Sequence, residues 1–302
     1  MNAYLKAMRL ERWPRSLAIY FGCASFFFLS RESLEAFSVF GLLWRIGLSF
    51  ILTWAISTAN YIINEIVDLP YDIHHPTKRF RPLVQGEIRK TFFFLFGLGI
   101  AVTSLLAAYL IFSLSFFLAL ISLLLAGFIY NLKPIRTKDI PFLDSISESA
   151  NNPIRFFIGW YAFAPGTLFP PLSLLLCWWS FGNFFMVAKR LSEFRYLKEK
   201  AENYRASHKR YSHSSLLFGM VASALIFFLT YFYFARTFKL QSFFYLSPFL
   251  LVFFILVFRK TLGEAEVMEE PEKLLVNPKF ALYTLFLLSL FTLSFFFDKV
   301  GQ

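Results

Sequence analysis

Cysteine is almost absent from the chain: two residues occur in 302, and both Cys23 and Cys177 lie in apolar runs without metal-type spacing. We therefore expect inert packing residues and no zinc or redox site. Charged residues are also scarce, at 16% of the chain, whereas hydrophobic residues make up 57%. This composition excludes a soluble globular protein, and the length allows many membrane spans.

Acidic residues are the scarcer charge, with 19 against 30 lysines and arginines, which gives a formal net charge of +11. In a soluble protein this excess would indicate a nucleic-acid partner. The distribution of the basic residues along the chain shows whether such a partner is needed or whether membrane topology explains the charge. Most basic residues lie in the N-terminal head and in every second connection between apolar runs. By the positive-inside rule this pattern places the N-terminus and the charged loops in the cytoplasm, and no nucleic-acid partner is needed to explain it.

Nine apolar runs have about the length that a bilayer requires of a helix. They fall near residues 14–30, 42–64, 92–112, 114–131, 141–163, 168–188, 214–235, 242–258 and 280–297. We therefore predict an all-α, polytopic membrane helical bundle of about nine transmembrane helices around a central, cytoplasm-facing cavity. The first run shows no small-residue cleavage site, which indicates a retained span rather than a signal peptide.

Residues 1–302 are expected to form a single integral-membrane domain. Residues 1–13 are similar to a short amphipathic helix that lies in the headgroup plane before the first span. Segments 65–91 and 189–213 are the predicted cytoplasmic active-site loops. In each of them a span ends and cations meet a carboxylate, so the pair predicts a cleft between two half-bundles.

The second apolar run ends in the sequence NEIVDLPYDIHHPTKRFRPLVQG, residues 64–86. Asn64, Asp68 and Asp72 recur every four residues, so a helix presents them on one face. Their amide and carboxylate oxygens suit a hard cation such as Mg²⁺, which commonly completes its coordination with water and phosphate. Pro70 is expected to break or kink this helix between the two aspartates.

Three cations follow within ten residues of the last aspartate: Lys78, Arg79 and Arg81. Carboxylates and cations together at a membrane surface predict a magnesium-bridged diphosphate site. The alternative is a helix end whose charges are solvated and whose cations only anchor the loop at the membrane. His74 and His75 lack Cys or His partners at ligand spacing, so a zinc site is not expected.

Polar side chains also interrupt the later apolar runs. They are Lys133, Arg136 and Lys138 after the fourth run, Asp144, Glu148, Asn151, Asn152 and Arg155 at the start of the fifth, and Lys189, Arg190 and Glu193 after the sixth. Steps of three or four in the fifth run predict a stripe that faces a polar cavity or pairs internally, for instance Glu148 with Asn152 or Arg155. Residues 194–213 are predicted to form an exposed helix, with His208 on its surface.

The motif N-E-x-x-D-x-x-x-D, the octapeptide HPTKRFRP at 75–82 and the segment MVAKRLSE at 186–193 resemble the UbiA superfamily of intramembrane transferases. Within it, the chain is most similar to the decaprenyl-phosphate phosphoribosyltransferase family. Members of that family transfer 5-phosphoribose from phosphoribosyl diphosphate to a polyprenyl phosphate, with Mg²⁺, at the cytoplasmic membrane face. The resemblance implies a place in the inner membrane of a prokaryote, in contact with the lipid bilayer, and is compatible with a homo-oligomer.

The resemblance also implies roles for individual residues, because Asp144 and Arg155 match an acidic residue and an arginine of the family's fifth span, and Tyr204 matches a tyrosine of its cytoplasmic helix. The predicted catalytic residues are Asp68, Asp72, Lys78, Arg79, Lys189 and Arg190. The predicted substrate-binding residues are Asn64, Arg81, Lys133, Asp144, Asn152, Arg155, Glu193 and Tyr204, and the predicted metal ligands are Asn64, Asp68 and Asp72.

Three features depart from the family pattern: Glu65 replaces an aspartate, the ESANNP run is unusual, and Asp139 and Asp144 stand five apart instead of four.

A first alternative is a prenyltransferase that moves a prenyl group from a prenyl diphosphate to an aromatic or other small acceptor. The degenerate second aspartate motif weakens it. A second alternative is a transporter, although transporter sites usually lie near the membrane midplane.

Overall fold

In the computed structural model the described residues are 3–30, 37–73, 78–197, 206–263 and 277–300. Within these ranges the longer elements are α-helices, as the sequence predicts. They are α1 (Ala3–Ala7), α2 (Ala18–Leu29), α3 (Val39–Asp72), α4 (Lys90–Ile111), α5 (Leu114–Asn131), α6 (Leu143–Ser149), α7 (Asn151–Tyr161), α8 (Leu172–Leu197), α9 (His213–Thr237), α10 (Gln241–Gly263) and α11 (Pro278–Val300).

Seven helices in the described part of the chain are long and apolar enough to cross a membrane, namely α3, α4, α5 and α8 to α11. The other two predicted spans fold into shorter pieces. The first becomes a 3-10 helix at Leu10–Leu17, which contains Pro14, followed by the 12-residue α2. The fifth becomes α6 and α7, because its polar residues and Pro153 interrupt the apolar sequence.

The chain separates into two compact units. The first contains residues 1–138 and 150–170, and the second contains residues 139–149 and 171–302. The long helices α3, α4 and α5 belong to the first unit, and α8 to α11 belong to the second. The expectation of one membrane domain with a cleft between two half-bundles stays a prediction.

Helix α3 runs through Pro70 to Asp72, so the expected break between the two aspartates is wrong. Proline lacks one backbone donor, but in the last turn of a 34-residue helix that loss removes little of the hydrogen-bond ladder. The helix begins at Ser38, whose side chain accepts a hydrogen bond from the Gly41 amide at 3.0 Å. Its uninterrupted end keeps the four-residue spacing of the polar side chains on one face.

The N-terminal head, residues 3–17, belongs to the first unit and packs there against α3 and α4. Ala7 and Met8 are buried with Ile62 of α3, Leu83 and Phe93 of α4. The place of the head in the headgroup plane stays a prediction, and the structure shows its apolar side packed in a small core. This contact fixes the head next to the end of α3.

Helices α2 and α7 approach each other closely through two glycines. A Cβ added to Gly159 would lie 1.9 Å from the carbonyl oxygen of Ile19, and one added to Gly22 would lie 2.1 Å from that of Phe156. Backbones can approach this closely in membrane helices only when the residues in contact are small. The pair therefore sets the packing of α2 on α7.

The second unit has a core of aromatic rings, which accounts for part of the 43 phenylalanines. Phe184 and Phe254 have ring centroids 4.6 Å apart, and Phe227 lies 4.8 Å from Phe254. Tilted pairs of this kind are favourable beyond the apolar area that they bury. The phenylalanines thus hold α8, α9 and α10 together.

We expect Gly159→Ala to lower the thermal unfolding midpoint of the purified protein in detergent, because the added methyl group forces α2 and α7 apart at a cost of about 1–3 kcal/mol. Gly99→Ala is the matched control, since a Cβ there meets nothing within 4 Å. Equal midpoints for the two variants would contradict the close contact.

Candidate active site

Three carboxylates lie near the end of α3: Glu65, Asp68 and Asp72. Glu65 and Asp72 are each only 3% exposed. A buried carboxylate is stable only when cations or hydrogen-bond donors compensate for the lost water. The first unit supplies such partners from the head, from the segment after α3 and from the segment after α5.

Asp68 is held by two cations of the segment that follows α5. The Arg136 Nη2 atom lies 3.3 Å from Asp68 Oδ1, and the Lys138 ammonium donates to the same oxygen. Lys138 also lies 3.4 Å from Asn64 Oδ1 and 3.0 Å from Asn131 Oδ1. Oxygens of Asn64 and Asp68 therefore share one point, as their spacing predicts, and a lysine ammonium lies there.

Asp72 is held by the cations that follow α3. Arg81 donates to its carboxylate, and the Lys78 ammonium lies 3.9 Å from Asp72 Oδ1. The same Arg81 nitrogen lies 3.4 Å from Glu65 Oε1, and Arg9 of the head donates to that oxygen through Nε at 2.6 Å. Arg81 thus joins Asp72 to Glu65, and the Glu65 carboxylate connects this pair with Arg9 of the head.

These ion pairs join three carboxylates to five cations, counted over the described residues. The carboxylates are Glu65, Asp68 and Asp72, and the cations are Arg9, Lys78, Arg81, Arg136 and Lys138. The site thus carries a surplus of positive charge before any ligand binds. In a poorly solvated place such a surplus favours a polyanion such as a diphosphate.

The donor atoms of this site also fit a hard divalent cation. Asn64 and Asp68 offer oxygens to one point that already accommodates a positive charge, and Asp72 adds a second carboxylate on the same helix face. Among the described residues no group of three or more His, Cys, Asp and Glu side chains is arranged to hold a metal ion. An ion here would therefore depend on the Asn64 amide and on oxygens of a bound phosphate.

The remaining cations predicted for this site lie further out. Arg79 is exposed, with its guanidinium 4.7 Å from the centroid of the Phe80 ring. Lys133 is exposed, whereas Arg136 and Lys138 of the same segment are buried. Sequence reasoning noted Arg136 and Lys138 but did not assign them to the site. The available signal was their position in a basic segment between two apolar runs.

A second polar cluster lies in the second unit, around Arg190. Its side chain is fully buried, with Asp144 Oδ2 2.7 Å from Nε, Glu148 Oε2 2.7 Å from Nη2 and Glu193 Oε2 3.1 Å from Nη1. Glu148 thus pairs with Arg190, a partner that the helical spacing within the fifth run did not predict. Direct contact between Arg190 and a ligand phosphate would require one of these carboxylates to move. Lys189, its neighbour, is half-buried.

The segment after α8 closes this cluster. His208 is 1% exposed and lies 3.3 Å from Glu193 Oε2, and Ser207 donates to Asp144 at 3.3 Å. The prediction that His208 lies on the surface is therefore wrong, whereas Lys209 and Arg210 of the same turn are exposed. Residues 206–210 form a 3-10 helix, and buried carboxylates require donors that this turn supplies.

Tyr211 completes the cluster. Its hydroxyl donates to Asp144 and accepts a hydrogen bond from the Phe142 amide at 2.7 Å. Burial, and next the charge of Asp144, raises the pKa of the Tyr211 hydroxyl above its ordinary value.

Asn152, Arg155 and Tyr204 are the other three predicted site residues. Asn152 is half-buried and Arg155 is buried, both on α7 in the first unit, so the polar residues of the fifth apolar run are divided between the two units. Tyr204 lies outside the described residues, as do His74 and His75.

The apolar helices define an integral membrane protein, and the end of α3 carries a polar site in which cations outnumber carboxylates. Residues 18–289 match the UbiA prenyltransferase family, and the chain belongs to that family.

Curated relatives match part of the chain. Decaprenyl-phosphate phosphoribosyltransferase of Mycobacterium tuberculosis strain H37Rv is 25% identical over 182 residues, which are 60% of this chain and 57% of that protein. The protein of the same name from Mycolicibacterium smegmatis is 26% identical over 182 residues, 60% of this chain and 54% of that protein. The matched segment thus spans little more than half of each relative.

Solved structures show the same fold. A UbiA homolog from Archaeoglobus fulgidus bound to GPP and Mg²⁺ is 21% identical, covers 97% of this chain and 99% of its own, and has a TM-score of 0.66. A structure titled as a study of digeranylgeranylglyceryl phosphate synthase is 16% identical, covers 99% of this chain and 98% of its own, and also has a TM-score of 0.66. At these identities the likeness concerns the fold alone.

We expect Tyr211→Phe to lower the unfolding midpoint in detergent, because buried Asp144 loses a donor, at a cost of about 1–3 kcal/mol. The folded-state pKa is the higher one, so the stability from this hydroxyl is complete below pH about 10 and declines as the pH rises further. The variant should lack that part of the alkaline decline.

Tyr233→Phe, an exposed position on α9, is the control and should melt like the parent protein. If both tyrosine variants had the same midpoint and the same alkaline profile, the contribution of the buried hydroxyl would be disproved.

Proposed function

We propose that this protein is a Mg²⁺-dependent membrane phosphoribosyltransferase that transfers 5-phosphoribose from phosphoribosyl diphosphate to a polyprenyl phosphate. The observation that carries the proposal is the surplus of cations around the carboxylates at the end of α3. A donor with a diphosphate and an additional phosphate matches that surplus better than a donor with a diphosphate alone. The names of the mycobacterial relatives support the same donor.

The chemical task is to stabilise the departing diphosphate. As the bond between C1 of the ribose and the diphosphate oxygen breaks, negative charge accumulates on the leaving group. Lys78 and Arg81 would hold that charge, and Asn64, Asp68 and Asp72 would hold the metal. Bound Mg²⁺ supplies further neutralisation of the diphosphate oxygens. Arg136 and Lys138, which sequence reasoning did not assign, hold the Asp68 carboxylate in place.

The acceptor phosphate is already an anion, so it needs positioning more than a general base. Lys189 is the proposed contact, and Arg190 acts through the carboxylates that surround it. Glu193 orients Arg190, from which it lies 3.1 Å. Arg155 is proposed to line the sugar pocket, and Asp144 holds Arg190 in place. The lipid tail would lie along apolar, phenylalanine-rich helices, where its burial costs no polar contacts.

Prenyl transfer is the second candidate function. The solved A. fulgidus homologs are bound to DMAPP or GPP with Mg²⁺, so the fold accommodates prenyl diphosphates. The same carboxylates would serve that chemistry, and the metal site alone does not discriminate. The donor's additional phosphate does, because only phosphoribosyl diphosphate carries one. The site is proposed to face the cytoplasm from the inner membrane of a prokaryote.

Membranes containing the protein should incorporate label from phosphoribosyl diphosphate into the lipid extract when Mg²⁺ is present, and chelation should abolish this transfer until Mg²⁺ is restored. The measurement is the radioactivity of the extracted polyprenyl lipid. Label absent from the lipid, together with consumption of labelled prenyl diphosphate, would favour the second candidate function instead.

We expect Asp68→Asn to reduce kcat about 10²–10³-fold, on the scale of removing one strong electrostatic contact from a transition state. The matched control is Glu87→Gln, which removes one carboxylate from an exposed loop position. A thermal melt of each variant checks folding. If folded Asp68→Asn retained the parent rate, catalysis through this motif would be abandoned.

A further inference from the structure

A cavity of about 370 Å³ lies between the N-terminal head and the segment that follows α3. Its polar lining includes Lys6, Arg9, Arg12, Glu65, Lys78 and Arg81. Ligand sites in proteins commonly have volumes of about 300–1,000 Å³, so the space suits a small group such as a sugar phosphate. Lys6, Arg9 and Arg12 belong to the head, for which the sequence predicts only an amphipathic helix in the headgroup plane.

The cavity is built rather than a chance gap at the surface. Ala7 and Met8 fix the head in a core with Ile62, and Arg9 forms an ion pair with buried Glu65. Arg9 has φ 52°, a left-handed backbone that a residue with a side chain seldom adopts. Such strain persists only where the surroundings hold it, here the packed head and the ion pair. The position of the Arg9 side chain is thereby set before any ligand binds.

The lining is strongly cationic. Five lysine and arginine residues face the cavity against two carboxylates, Glu11 and Glu65. Glu65 pairs with Arg9 and Arg81, and the five cations of the lining outnumber its two carboxylates. Lysine and arginine side chains around a small cavity recognise phosphate oxygens through charge-assisted hydrogen bonds.

We propose that this cavity binds a phosphate monoester, and that its occupant is the 5-phosphate of the donor. This assignment rests on the proposed function. Its geometric basis is Arg81, one nitrogen of which contacts both Asp72 of the metal site and Glu65 of the cavity wall. The two anion positions are therefore adjacent, and a donor with phosphate at both ends of a ribose occupies both. A prenyl diphosphate, which has phosphate at one end only, leaves the cavity unused.

The test uses thermal melts of the full chain purified in detergent, with ribose 5-phosphate or inorganic diphosphate as the probe. Ribose 5-phosphate should raise the midpoint of the parent protein, because a ligand that binds only the folded state stabilises it. Lys6→Gln/Arg12→Gln should weaken its apparent affinity about tenfold or more, the effect of losing charge-assisted contacts. The response to inorganic diphosphate with Mg²⁺ should change little.

The matched control is Arg89→Gln/Lys90→Gln, which removes two exposed positive charges at the start of α4 that do not line the cavity. It should respond to ribose 5-phosphate like the parent. Lys6→Gln alone, at an exposed position, serves if the double variant folds poorly. No stabilisation of the parent by ribose 5-phosphate, or an equal response in all variants, would overturn the assignment.

An anionic lipid headgroup offers the same phosphate chemistry, and a second arm separates the two sources. The proteins are reconstituted in lipid nanodiscs with or without phosphatidic acid. If phosphatidic acid stabilised the parent but not Lys6→Gln/Arg12→Gln, while the ribose 5-phosphate response was unchanged, the occupant would be lipid and the donor assignment would fall. If ribose 5-phosphate stabilised the parent but not Lys6→Gln/Arg12→Gln, while the parent transferred no label to lipid, the phosphate site would stand and only the proposed reaction would be rejected.

Discussion

The compensation of buried carboxylates at the end of α3 is the interaction on which the rest of the site depends. Glu65, Asp68 and Asp72 lie on the last turns of a membrane helix, where water is scarce and an isolated charge costs several kcal/mol. Cations from the head, from the segment after α3 and from the segment after α5 compensate these charges. Removing any of them would leave a carboxylate with fewer cations to compensate its charge, so the head and the two loops are held to the helix by electrostatics as well as by packing.

The two polar clusters differ in the sign of their net charge. At the end of α3 the cations outnumber the carboxylates, whereas around Arg190 three carboxylates surround one guanidinium. The first arrangement suits an anion. The second is internally paired and closed by His208, Ser207 and Tyr211, which is the environment of a group that positions others rather than one that meets a ligand directly.

The sequence predicts the helical membrane fold well, because long apolar runs leave few alternatives in a bilayer. The family membership also follows from one motif, N-E-x-x-D-x-x-x-D. Two expected spans are not single α-helices, since the apolar count over residues 14–30 and 141–163 ignored Pro14 and the polar opening of α6 and α7. For Pro70 the effect of a proline was overestimated, because a proline in the last turn of a helix removes few backbone hydrogen bonds.

The site was less predictable than the fold. Helical spacing places Asn64 and Asp68 at one point, but the ammonium of Lys138 at that point comes from a segment about seventy residues away. Likewise, the burial of His208 and Tyr211 depends on how a turn after α8 packs against Asp144. Contacts of this kind are set by tertiary structure, and spacing along the chain does not contain them.

The most direct measurement is a density map of the full chain with phosphoribosyl diphosphate and Mg²⁺ bound. We expect the diphosphate beside Asp68 and Asp72, with Lys78 and Arg81 on its oxygens, the metal on the α3 carboxylates, and the Lys138 ammonium no longer shared between Asn64 and Asp68. Donor density elsewhere, with the Asp68–Lys138 pair intact, would contradict the assignment of the α3 end as the active site.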